Sequence, residues 1–133
     1  MGHARERAAQ VGAPIWSSPF RPFYLLGTTY ALVLIAAWLG AWLGAWGAPW
    51  GGTTLALWHG HEMLFGVVAA IAIGITLTAL PSWPGTAEVR GRRLALLVAL
   101  WAAGRLACWA APWLAPAWRA AIDALFVPAV FAA

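Results

Sequence analysis

Long uncharged apolar stretches alternate along this chain with short polar or proline-rich breaks. From Phe23 to Ala48 no position is charged. Those 26 residues, at about 1.5 Å each, give roughly 39 Å of helix, against a bilayer hydrocarbon core of roughly 30 Å. A second stretch runs from about Leu57 to Leu80 and is closed by Pro81-Ser82-Trp83-Pro84-Gly85, a cluster that cannot continue a helix. A third covers about Leu94 to Trp113, with Pro112 and Pro116 at its end, and a fourth starts near Ala117 and reaches Ala133. The pattern predicts an all-α integral membrane helical bundle with helices over 23–48, 57–80, 94–113 and 117–133. The fourth helix is expected to be truncated and the bundle to be part of a larger polytopic fold. Residues 1–14 are polar and are expected to form a disordered tail ahead of a single membrane domain over 15–133.

Composition agrees with the pattern. Of 133 residues, 63% are hydrophobic and 9% charged, whereas soluble domains carry roughly a quarter charged residues. Mean hydropathy is +0.77. Eight basic residues, all arginine, against four acids give a pI near 10.7. This excess does not point to nucleic acid, because the arginines are dispersed between apolar spans and no long stretch is soluble and basic. Their placement sets topology instead. Arg5, Arg7 and Arg21 precede the first span, Arg90, Arg92 and Arg93 crowd the linker after the second, and 49–56 carries no charge. Positive residues stay inside, so the N-terminus and 81–93 are expected to be cytoplasmic and 49–56 external. The first span far exceeds a signal peptide's apolar region of roughly 7–15 residues, so it is expected to be retained. Gly40 and Gly44 make a GxxxG step, read as a close-packing face for a neighbouring helix in preference to a dimerisation seam.

The candidate chemistry lies in Trp58-His59-Gly60-His61-Glu62-Met63-Leu64-Phe65-Gly66. Ionisable residues within a membrane span are costly and mark function by default. Imidazole, carboxylate and thioether are also ligand types that haem iron and copper take. The alternative is that these groups only hydrogen-bond water or cap a neighbour near the interface. On a regular helix His59, Glu62, Met63 and Gly66 share a face, while His61 points roughly 200° away from His59. The metal or haem candidates are therefore His59, His61, Glu62 and Met63, with His59 preferred and Gly66 as a notch for a bulky planar group. Arg105 and Asp123 lie at matched depth in the third and fourth spans and are expected to pair. Arg105 also shares a face with Trp101, Cys108 and Trp109, and Cys108, the only cysteine, is read as a packing residue.

These segments carry a resemblance. Phe20-Arg21-Pro22-Phe23-Tyr24, the Trp58–Gly66 element and Leu77-Thr78-Ala79-Leu80-Pro81-Ser82-Trp83-Pro84-Gly85 resemble the NnrS family. So do Trp101-Ala102-Ala103-Gly104-Arg105-Leu106-Ala107 and Asp123-Ala124-Leu125-Phe126-Val127-Pro128. The resemblance covers about residues 15–133. It implies a polytopic protein of the bacterial inner membrane, containing haem and copper and linked to nitric oxide metabolism and nitrosative-stress resistance. It also implies a longer whole, of which this chain is an N-terminal piece, with the remaining helices, membrane lipid and nitric oxide as its partners. Ser82 stands where the family has asparagine, so no role of that residue transfers. The residues alone leave a second reading, a transporter or channel segment whose polar path is formed by Glu62, Arg105 and Asp123. A third is a non-catalytic helical unit that packs against other membrane proteins.

Overall fold

The computed structural model describes residues 14–46, 53–83 and 87–133, and these are helical throughout apart from short turns. A single 3₁₀ turn at Pro14–Ser17 leads into α1, Phe20–Trp42. The continuous helix α2, Leu55–Ser82, follows. Then come α3, Gly91–Trp109, α4, Pro116–Ala124, and α5, Phe126–Phe131. Helices α1 and α2 are both long and apolar enough to cross a membrane. The expected tail falls almost wholly on residues 1–13, outside the described residues, as does the first half of the 49–56 connection.

Helix α1 stops six residues before the expected Ala48, and the reason is local. Gly44 adopts φ +73°, its N–H donates to Ala41 O at 3.1 Å, and Ala45 N–H donates to Gly40 O at 2.8 Å. This is a Schellman termination, which places glycine where an L side chain would be strained. The chain then turns back, Trp46 Nε1 donates to Ala37 O at 3.0 Å, and the indole covers Gly40. The GxxxG step is therefore a helix stop with an aromatic lid, not a face packed against another helix.

Helices α1 and α2 pack closely where small residues meet. Gly27 faces Ala70, and a Cβ on Gly74 would stand 2.8 Å from Phe23 Cβ. Thr78 near the end of α2 accepts from Phe20 N–H at 2.9 Å, capping α1 from its neighbour. Helix α2 starts at a conventional cap, Thr54, whose side chain accepts from Leu57 N–H. Between Glu62 and Val68 it widens into π-helical turns before returning to α-helix. The main core joins Phe23, Ala70, Leu77, Leu94, Leu97, Val98, Trp101 and Phe126, and a smaller cluster joins Leu34, Trp58 and Val67.

The fourth apolar stretch is not one helix. Pro128 has no N–H for Ala124 O, and the helix breaks at Leu125 into α4 and α5. Many large apolar side chains point outward, among them Leu25, Leu32, Leu57, Ile75 and Leu96.

Candidate functional site

Four helices converge on Glu62, which is 0% exposed and stands at the first π turn of α2. From α1, the Tyr30 hydroxyl donates to Glu62 Oε2. From α3, Arg105 Nη1 donates to the same oxygen at 3.0 Å. On α2 itself His61 Nδ1 lies 2.9 Å from Glu62 Oε1. Asp123 of α4 completes the ring, accepting from Arg105 Nη2 at Oδ1 and lying 3.0 Å from His61 Nε2 at Oδ2. Arg105, 5% exposed, is thus bracketed by two carboxylates on different helices. Both ring nitrogens of His61 face carboxylate oxygens, which only accept, so the arrangement is satisfied when both nitrogens donate. With that proton, two carboxylates balance one guanidinium and one imidazolium.

A second shell of donors fixes this ring. Trp109 Nε1 donates to the Tyr30 hydroxyl at 2.8 Å, and Trp101 Nε1 donates to Gly66 O at 3.1 Å, pinning a carbonyl of the widened turn. The ring of Tyr30 stands edge-on to Trp101 with centroids 5.7 Å apart. A Cβ on Gly66 would come within 2.5 Å of Tyr30 Cε1 and 3.3 Å of Arg105 Cδ. The notch at Gly66 is real, and the planar group that fills it is the chain's own tyrosine.

The two histidines lie on the regular α-helical turns before the widened segment, and the neighbouring helices decide what each meets. His59 does not share a site with Glu62. It stacks on Trp38 of α1, centroids 4.9 Å apart, with Nδ1 buried and lacking a hydrogen-bond partner among the described residues. His61, expected to turn away, is the imidazole at the carboxylates. Met63 is partly exposed and takes no part in the ring. Arg105 and Asp123 do meet, and the residue that sequence reasoning left out of their pair is Glu62. Tyr30 was missed altogether, and Trp109, read only as sharing a face with Arg105, proves to hold the Tyr30 hydroxyl. A phenol in the middle of an otherwise apolar span was the available signal for the first.

Cys108, read as packing, lies beside the ring. The ligand atoms of His61, Glu62 and Cys108 all fall within 4.8 Å of one another. These three, with Asp123 and Arg119, line a cavity of about 400 Å³ whose other walls include Leu57, Trp58, Pro116 and Ala120. That is within the size range of small-molecule sites, roughly 300–1,000 Å³.

The family model described as NnrS protein matches residues 14–133. The chain belongs to the NnrS family. No curated protein and no solved structure matches it. The segments that carry the NnrS resemblance, far apart in sequence, meet at two places in the fold. Phe20 and Thr78 join the ends of α1 and α2, and Glu62, Arg105 and Asp123 join α2, α3 and α4.

Proposed function

We propose that this NnrS chain works as a multi-spanning protein of the bacterial inner membrane, acting in nitric oxide metabolism or nitrosative-stress resistance. In this reading His61, Glu62 and Cys108 hold a copper ion. The observation that carries it is the convergence of an imidazole, a carboxylate and a thiol on one cavity wall. Thiolate and imidazole are among the ligands that copper takes. Bound copper would supply one-electron chemistry and a site for a small ligand such as nitric oxide.

Each chain residue then has a separate task. Copper held there would take sulfur from Cys108, oxygen from Glu62 and nitrogen from His61, displacing the proton that His61 otherwise shares with Glu62. Arg105 and Tyr30 hold the Glu62 carboxylate in place, and Asp123 orients His61 through its other nitrogen, the outer-shell arrangement usual for metal-bound histidine. Met63, partly exposed, and His59, stacked on Trp38, stand outside this set.

Haem fits the described residues less well. Their two imidazoles engage different helices, His59 against Trp38 and His61 between two carboxylates, so the pair cannot grip one iron. No role in this reading passes through haem.

Membrane insertion is supported by the two long apolar helices and by the outward-facing leucines and isoleucine. The arginines flanking α1 and opening α3 support a cytoplasmic N-terminus. The transporter reading is weaker, because Glu62, Arg105 and Asp123 close on one another instead of lining an open path. Copper per mole of purified protein tests the proposal. Wild type should carry about one equivalent and Cys108→Ser much less, while equal loading would reject the ligand set.

A further inference from the structure

Arg119 is the one cation at the cavity that the copper reading does not use. It sits in the first turn of α4 and lines the cavity, and its Nε is buried with no hydrogen-bond partner among the described residues. The carboxylate four residues on, Asp123, is the natural helical partner for an arginine. Here both of its oxygens are engaged, one by Arg105 and one by His61. Glu62, the other carboxylate on the wall, is held by Arg105, Tyr30 and His61. Arg119 therefore faces a cavity walled by Leu57, Trp58, Pro116 and Ala120 with no free anion among the described residues. A half-buried guanidinium beside an apolar wall gains from an anion that joins it.

The neighbourhood says what kind of anion. Trp113 and Trp118, on either side of Pro116, are 85% and 66% exposed. Indoles in such positions sit at the headgroup level of a bilayer, with arginines reaching to the same depth. The cavity thus offers a cation beside an apolar wall, at the level where lipid phosphates lie.

We propose that this cavity binds one phosphate-class oxyanion against Arg119, carried on an apolar body as in an anionic phospholipid. The phosphodiester meets the guanidinium, and the acyl chain follows Leu57, Pro116 and Ala120. The proposal goes beyond the nitric oxide reading and does not depend on copper, so each can fail alone.

The full chain, purified in mild detergent and delipidated, is titrated separately with phosphatidylglycerol, diacylglycerol and inorganic phosphate. Native mass spectrometry counts bound lipid, and phosphate is added as a competitor. Wild type should retain one phosphatidylglycerol in preference to diacylglycerol. Arg119→Gln should bind it at least tenfold more weakly, and Arg119→Lys should recover part of the loss. The double variant Arg92→Gln/Arg93→Gln, at exposed positions that open α3, should bind like wild type. Ala120→Phe, which fills the cavity and leaves the charge, should also lose the lipid, so the test does not hang on one variant's folding. Competition by inorganic phosphate would show that free anions use the same contact and supports the site. Equal retention of diacylglycerol, unchanged binding in folded Arg119→Gln, or equal loss in the Arg92/Arg93 variant overturns it.

Discussion

The Glu62 carboxylate, wholly buried, accepts from Arg105 Nη1 at 3.0 Å across the α2–α3 contact. The same guanidinium reaches Asp123 with its other terminal nitrogen. A buried charge stripped of its partner destabilises by about 3–5 kcal/mol. Arg105→Leu should therefore lower the unfolding midpoint sharply, since it strands two carboxylates. Arg105→Leu with Glu62→Gln and Asp123→Asn should cost clearly less than the sum of the three single changes. Additive losses in thermal unfolding would mean that the three side chains act independently.

Gly66 and Gly60 lie in the same helix and should respond in opposite ways. A methyl on Gly66 meets the Tyr30 ring at 2.5 Å, while one on Gly60 meets nothing within 4 Å. Overpacking of this kind costs about 1–3 kcal/mol. Gly66→Ala should lower stability by that order and disturb the Tyr30–Glu62 hydrogen bond, and Gly60→Ala, at an open helical position, should raise stability by up to about 1 kcal/mol. Equal behaviour would contradict the close approach of α1 to the widened turn.

Gly44 terminates α1 with φ +73°. An L residue there is strained by about 1–2 kcal/mol. Gly44→Ala should destabilise by that amount although nothing lies within 4 Å of the added methyl. A change without effect on the unfolding midpoint would place the helix end elsewhere.

Topology is checked by labelling. Cysteine introduced at Thr53 should react with an impermeant thiol reagent in spheroplasts, and cysteine at Ala87 only after lysis. The reverse pattern would invert the orientation drawn from the arginines.

The helical spans and their order were legible because hydrophobic run length and proline breaks act locally. The break at Leu125 was also written locally, in Pro128, but was read over because the apolar run continues past it. The Arg105–Asp123 contact was readable from matched depth along two helices. The choice between His59 and His61 was not, because it depends on what other helices bring to each ring, Trp38 of α1 to His59 and Asp123 of α4 to His61. That Cys108 lies beside His61 and Glu62 was not legible either, because a lone thiol in an apolar run acquires such neighbours only when another helix packs against it.

The ligand assignment is the centre of the account, and copper-edge X-ray absorption on the loaded full chain tests it most directly. Wild type should show a sulfur neighbour together with nitrogen or oxygen neighbours. Cys108→Ser should lose the sulfur shell, His61→Ala should lose imidazole scattering, and His59→Ala should leave the spectrum unchanged. A spectrum without sulfur in wild type, or one that changes with His59 and not with His61, would contradict the site.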